Sequence, residues 1–430
     1  VYLLYEFLLL VSALLLIPYC LVKGFSQGHV WRGIGERLGF YSAGRLIPLQ
    51  GKRVFWIHAA SVGETRAAIP LVQRLKKIYP ESAVVLSTMT FTGQAVAQEI
   101  PEVDVALFCP FDLSWVVRRV LRQIQPVLLI IVETEIWPNF VRYASKRGLA
   151  VMLINGRISD RSFPRYRLVR SLLRPVLEQF DAFCMQTELD AERIRLLGAP
   201  PDRVEVTRNL KFDMTAAVPD ETAVAVFKET FQLPCDCLIW VAGSTHSGEE
   251  EAVVDVYRKM TEGGRNVVLV LVPRHPERCR AVGEMLTGHG IPFALRSALA
   301  QRECSLQPGE VLLVDSMGEM LKFYAVADLV FVGGSLVPVG GHNILEASLL
   351  KKPVIFGHYM YNFKEIMRLL LEAQGGICVA NRQELSAAAI RLLDDAELRR
   401  SMGEGGNALL QQNAGATAHT LSVVENILGR

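Results

Sequence analysis

From Lys52 onward one pattern repeats: a short, almost wholly apolar run, a turn, then a segment with helical periodicity. The runs in the first half are residues 54–60, 83–89, 105–109, 127–133, 150–155, 182–186 and 204–207. Runs without polar alternation predict parallel strands covered on both faces. Strands that alternate with helices then give a doubly wound α/β unit. After a joining segment at 213–236 the pattern resumes, with strands predicted at 238–243, 267–272, 311–315, 329–332 and 353–356. Helices are predicted between them, among them 248–260 and 317–326. Two such units in tandem imply a cleft between facing carboxyl edges of strands, where ligands settle. The helices after 383 can close the second unit and reach back to the first.

Composition agrees with two folded units. At 430 residues the chain exceeds one typical domain. Hydrophobic residues make up 50% and charged residues 21%, which excludes disorder. A net charge of +2 gives no general attraction to nucleic acid. The eight cysteines are scattered, and the eight histidines lack paired ligand spacing, so no metal site is expected. Reduced thiols in a cytosol are the simplest reading.

Residues 2–22 are apolar apart from Glu6 and a few small polar groups. Their length suits a membrane anchor helix, which needs about 20 apolar residues. Lys23, Arg32, Arg37 and Arg45 follow the segment and no basic residue precedes it, which predicts a cytoplasmic remainder. Glu6 and Pro18 leave a helix lying in the interface as the alternative.

Several strand ends carry chemistry-bearing residues. His58-Ala-Ala-Ser61-Val-Gly63-Glu64 leaves the first strand, and Glu64 reaches the mouth of a helix. A carboxylate there is either a general base, if burial raises its pKa, or a charge that complements the helix dipole. Glu133-Thr134-Glu135-Ile-Trp137-Pro138-Asn139 crowds two carboxylates after another strand. Lys211, in Leu-Lys-Phe-Asp213, can neutralise charge developing on a leaving phosphate, or is a surface lysine near a hinge. In the second half, Gly243-Ser-Thr-His246-Ser-Gly-Glu249-Glu250 places hydroxyls at a strand end. Pro273-Arg274-His275-Pro276 holds an arginine suited to phosphate or carboxylate. Asp315-Ser-Met317-Gly318-Glu319 is expected to open a helix. Residues 329–347 break at Gly333-Gly334 and Gly340-Gly341 and are expected to enter a helix at His342 or Asn343, where unpaired N–H groups suit phosphate. The same Asn343 and Glu346 also fit an ordinary capping box. Between Arg157 and Arg174 lie six arginines and one acid, Asp160. The spacing puts Arg167, Arg170 and Arg174 on one helical face, a surface for anionic lipid or a plain solvated face.

Taken together, SVGE, ETEIWPN, LKFD, STHSGEE, PRHPER, SMGEM and GGSLVPVGGHNILEA resemble the bacterial Kdo (3-deoxy-D-manno-octulosonic acid) transferases of lipopolysaccharide synthesis. The resemblance runs nearly the whole length. It implies a GT-B fold, two Rossmann-like domains facing across a cleft, with residues 1–22 as anchor, 23–212 as acceptor domain and 213–430 as CMP-sugar domain. The implied reaction is inverting transfer of Kdo from CMP-Kdo to a phosphorylated, tetraacylated lipid A precursor at the bacterial inner membrane. No cofactor, metal or nucleic-acid partner is implied. Carried over, Glu64 matches the general base, and Glu133 and Lys211 match positions that stabilise the transition state. Pro273, Arg274 and His275, then Met317, Gly318 and Glu319, then Asn343, Ile344, Leu345 and Glu346 match the CMP-contacting segments. The alternative with the same fold is a transferase or epimerase that uses a UDP-sugar.

Overall fold

The computed structural model describes residues 2, 5–12, 14, 33–42, 44–213, 218–301 and 304–429. The chain divides into two compact units, Val1–Thr215 with Asn413–Arg430, and Ala216–Gln412.

Unit one holds seven strands: β1 (Val54–His58), β2 (Ala83–Thr88), β3 (Val105–Phe108), β4 (Leu128–Val132), β5 (Ala150–Gly156), β6 (Ala182–Met185) and β7 (Val204–Val206). They form one parallel sheet in the order β3-β2-β1-β4-β5-β6-β7. Successive residues of a strand point to opposite faces. Trp56, Val85, Leu129 and Leu153 therefore enter one core, while Phe55, Ile57, Leu86, Ile130 and Ile154 enter another. From β1 to β6 each strand is apolar up to its carboxyl end because each face has its own core to fill. Leu421 and Val424 of the last helix, Ala416–Leu428, belong to the second of these cores, so the end of the chain completes the first unit.

Unit two repeats the design with β8 (Leu238–Thr245), β9 (Val267–Pro273), β10 (Phe293–Leu295), β11 (Val311–Leu313), β12 (Leu329–Val332), β13 (Val354–Gly357) and β14 (Gly376–Val379). The sheet is again parallel, in the order β10-β11-β9-β8-β12-β13-β14. In each unit the first strand is central, with the order reversing beside it, so loops at its carboxyl end border a crevice.

The structure departs from the sequence reading at several points. Strands β10 and β14 were not anticipated, and both lie at sheet edges. The helix expected from 317 begins at Met320, and the one expected at His342 or Asn343 begins at Leu345 and spans only Leu345–Leu349. Arg167, Arg170 and Arg174 do not share one continuous helix, because Phe163–Leu168 and Arg170–Leu177 are separated at Val169. Much of the expected anchor at 2–22 lies outside the described residues. Among the described residues, no helix is long and apolar enough to cross a membrane. Residues 5–12 are helical. The Tyr5 hydroxyl donates to Asp112 at 2.9 Å, and Glu6 accepts from the Ser114 N–H at 3.0 Å and from Asn139 Nδ2 at 2.8 Å. Phe7, Leu8, Leu10, Val11 and Leu14 stay exposed.

Asp213 fixes the last helix to the first unit. Its carboxylate accepts from the Gly415 N–H at 2.7 Å and from the Thr417 N–H, two donors at a helix start. Losing a side-chain cap costs about 0.5–2 kcal/mol. We expect Asp213→Ala to lower stability by about 1 kcal/mol, measured as a shift of the urea midpoint of the full chain, with secondary structure kept.

Candidate active site

Two groups of side chains gather at carboxyl ends of strands, one on each unit. On unit one, Ser61 caps the helix Val62–Ile78, and its hydroxyl accepts from the Glu64 N–H at 3.4 Å. Glu64 reaches back, accepting from the Ala60 N–H at 2.6 Å and the Ser61 hydroxyl at 2.9 Å. This is a reciprocal capping arrangement. The carboxylate is half-buried beside two others, and its pKa is pushed up to about 7, by burial first and by Glu133 second, with Glu135 adding to it. The hydrogen bonds from Ser61 and Ala60 pull the other way and are outweighed. Both readings of Glu64 therefore coexist: it caps a helix, and it is a carboxylate poised to exchange a proton near neutrality. Burial also raises the pKa of Glu135.

Glu133 directly follows β4 with φ +59°, a left-handed backbone that is costly for any residue other than glycine. Lys211 Nζ lies 3.3 Å from Glu133 Oε1. A network from neighbouring strand ends holds the lysine in place. Asn209 Oδ1 accepts from the Lys211 N–H, and Asn209 Nδ2 donates to Gln186 Oε1 at 3.1 Å. Gln186 Nε2 donates to the Asn155 carbonyl at 2.9 Å, while Asn155 Oδ1 accepts from the Leu210 N–H at 3.0 Å. Sequence reasoning missed Asn155, Gln186 and Asn209; the one local signal was that Asn155 and Gln186 each close an apolar run. Asn139, in the Trp-Pro-Asn stretch, is wholly buried, and Asp112 accepts the N–H groups of Asn139 and Phe140 at 2.9 and 2.7 Å. His58 is also buried, with Nδ1 3.1 Å from the Ser87 carbonyl, and burial lowers its pKa to about 4, so it stays neutral.

On unit two, Glu249 begins the helix Glu249–Glu262 and is wholly buried. Its carboxylate accepts from the N–H groups of Gly334 (2.6 Å), Ser335 (2.9 Å), Leu336 (2.8 Å) and His246 (3.0 Å). Burial raises its pKa and these four donors pull it back. The loop after β12 is thereby clamped to the loop after β8. Gly333 has no room for a side chain, since a Cβ would stand 2.5 Å from the Ser244 carbonyl oxygen. Gly334 has φ +66°, and a Cβ there would meet the His342 ring at 2.9 Å.

Pro273 closes β9 in the core, and the Arg274 N–H donates to the Thr245 carbonyl at 2.9 Å. The half-buried Arg274 guanidinium makes no hydrogen bond or ion pair among the described residues. His275 is exposed, its ring edge-on to His246 at 6.0 Å. His246 and His342 face each other, Nε2 to Nε2, at 2.9 Å. Asn343 Oδ1 accepts from the Leu345 N–H at 3.2 Å, so it is the local cap. Ile344 and Leu345 are wholly buried and hold Asn343 and Glu346 in place from the core side. Met317 is exposed and Gly318 has φ +85°. Glu319 accepts from Arg296 Nε and Nη2, each at 3.1 Å, and from the Ser316 hydroxyl at 2.8 Å. Burial pushes its pKa up, but Arg296 and Ser316 outweigh burial and leave it lowered. The structure thus gathers Glu64, Glu133 and Lys211 on one unit, and Arg274, His275 and Asn343 with His246 and Glu249 on the other.

A raised carboxyl pKa has a sign in stability. Between about 4.5 and 7 the folded state binds more proton at Glu64 than the unfolded chain, so this contribution is full below 4.5 and is lost as pH rises toward 7. We expect Glu64→Gln to lose less stability than wild type between pH 4.5 and pH 8, read from urea midpoints. An identical pH dependence in both proteins would contradict the assigned shift.

Comparison with known proteins agrees with the motif pattern. A family profile described as 3-deoxy-D-manno-octulosonic-acid transferase (kdotransferase) matches residues 32–214. The 3-deoxy-D-manno-octulosonic acid transferase of Haemophilus influenzae is 35% identical over 428 residues, covering 99% of this chain and 98% of that protein. The protein so named from Bordetella pertussis is 32% identical over 403 residues, 91% of each chain. Among solved structures, UDP-GlcNAc 2-epimerase from Neisseria meningitidis bound to UDP-GlcNAc superposes with a TM-score of 0.59 at 13% identity, over 87% of this chain and 100% of that one. A glycosyltransferase from Rickettsia africae gives 0.58 at 13% identity, over 88% and 99%. These two likenesses concern the fold, which is GT-B.

Proposed function

The chain belongs to the 3-deoxy-D-manno-octulosonic-acid transferase family, and on that basis we propose that it moves Kdo from CMP-Kdo to a hydroxyl of a phosphorylated, tetraacylated lipid A precursor. The observation that carries the chemistry is Glu64, whose carboxyl is pushed up to about 7 beside the Glu133–Lys211 pair. A base with its pKa near the working pH is ionised often enough to act and still attracts a proton strongly.

In this reading Glu64 takes the proton of the acceptor's 6′-hydroxyl. The freed oxygen attacks the anomeric carbon of Kdo as the bond from that carbon to the phosphate oxygen breaks. The electron pair leaves with CMP, and the configuration inverts. One positioned base suffices, and no covalent enzyme intermediate is needed. Arg274, without a protein partner among the described residues, is suited to the phosphate of CMP. Lys211 balances charge on the acceptor side while Glu133 fixes its ammonium. Met317, Gly318, Asn343 and Glu346 complete the nucleotide site, with Glu319 orienting its loop through Arg296. Pro273, Ile344 and Leu345 support it from the core.

The proposal includes no metal, because a donor with a single phosphate has less charge to neutralise than a pyrophosphate. It also places the protein at the bacterial inner membrane with both units cytoplasmic. Phe7, Leu8, Leu10, Val11 and Leu14, apolar yet exposed, support a membrane role for the amino-terminal segment.

The direct test is a mass spectrum of product from purified protein, lipid A precursor and either CMP-Kdo or UDP-N-acetylglucosamine. Kdo addition with the first donor alone is expected. Glu64→Ala should lose roughly 10²-fold or more in rate while still binding CMP; retained turnover would remove the base assignment. For wild type, kcat/KM should fall about tenfold per pH unit below about 7, as Glu64 protonates. Added EDTA should leave the rate unchanged.

A further inference from the structure

The His246–His342 contact is unusual in its chemistry. Two imidazoles whose planes differ by 5° and whose Nε2 atoms are 2.9 Å apart share a single hydrogen, one ring donating and the other accepting. Both are half-buried above Gly334. A second proton between the two Nε2 atoms would break the bond. A proton on Nδ1 of the donating ring would keep it, giving an imidazolium held by a neutral imidazole. His246 Nδ1 makes no hydrogen bond among the described residues. The groups around His246 are two guanidiniums, Arg274 and Arg278, the latter paired to Glu250 at 3.2 Å, and the ring of His275. Glu249 touches only its backbone N–H, and that carboxylate is already shared among four donors. Burial first, and then His275, Arg274 and Arg278, hold the His246 pKa below the ordinary histidine range, so charge on His246 is disfavoured without a ligand.

An arriving phosphate dianion reverses this balance. It offsets Arg274, whose guanidinium has no protein partner among the described residues, and an opposite charge within about 4–6 Å favours the protonated form of a histidine. We propose that His246, backed by His342, forms a phosphate subsite with Arg274 that takes up one proton as the phosphate binds. The proton comes from solvent and lands on His246 Nδ1, which then donates to a phosphate oxygen. His246 is thus a binding group that reads the charge of the ligand, and His342 positions it. The assignment of the phosphate to CMP rests on the function proposed above; the subsite itself rests on the imidazole pair and Arg274.

The test is calorimetry of the full chain with CMP at pH 7.5, in non-phosphate buffers of different protonation enthalpy. At that pH a phosphate monoester, with its second pKa about 6, is already doubly ionised, so uptake belongs to the protein. Net uptake of a fraction of a proton per CMP is expected, with none for cytidine. His246→Gln should abolish the uptake and weaken CMP roughly tenfold or more. His342→Gln should reduce it. CMP binding without uptake in wild type, which needs no variant to fold, would overturn the proposal, as would uptake that survives His246→Gln. Should CMP fail to bind while inorganic phosphate binds with proton uptake after correction for the ligand's own ionisation, the donor assignment falls and the subsite stands. If neither binds, both fall.

Discussion

A carboxylate surrounded by four backbone N–H groups governs the second unit. Glu249 is wholly buried, and its charge is met by dipoles from two different loops rather than by a cation. A charge taken out of water without partners would cost several kcal/mol; shared among four donors it becomes a strut between the ends of β8 and β12. His246, Gly334 and the loop toward His342 take their positions from it. Glu64 holds the corresponding place on the first unit, at the opening of the helix after the central strand, but with two donors and partial exposure. The difference in donors and burial separates their duties. Glu249 has no capacity left for chemistry, whereas Glu64 keeps a proton equilibrium open.

Left-handed backbone accumulates at the same edges. Glu133 follows β4, Asn155 lies near the end of β5, Arg208 follows β7 and Ser244 lies near the end of β8, each with φ between +52° and +68°. Such conformations cost of order 1–3 kcal/mol for residues other than glycine. They persist because the flanking strands are anchored in two cores and the turns carry specific hydrogen bonds, as at Asn155. One of these strand-end residues, Glu133, meets Lys211 at 3.3 Å.

The central strands were legible because each fills two cores and keeps any polar residues to its carboxyl end. The edge strands were not. Phe293–Leu295 is only half-buried and Gly376–Val379 opens on glycine, so neither leaves a continuous apolar run. Helix starts near 317 and 342 were placed too early, since glycines and capping residues mark the neighbourhood of a start without fixing its turn. Glu64, Glu133 and Lys211 were readable as motif residues, and their grouping followed from strand-end positions. The Asn155–Gln186–Asn209 network was not readable, because its members come from the ends of three strands and meet only after the sheet has formed. The clamp at Glu249 was hidden for a related reason: an acid in a first helical turn looks the same whether it meets water or four distant amides. The imidazole pair joins residues 96 positions apart and had no local signature.

Because residues after 413 supply Leu421 and Val424 to a core of the first unit, and Asp213 holds the start of that last helix, the first unit cannot finish folding in order of synthesis. Its sheet must wait while about 200 intervening residues are made, roughly 10–40 s at about 5–20 residues per second. Throughout that interval a strip of apolar sheet face stays uncovered on the nascent chain. Cellular holding factors would find their natural target there, and the last helix must leave the ribosome before the Lys211 loop acquires its last support.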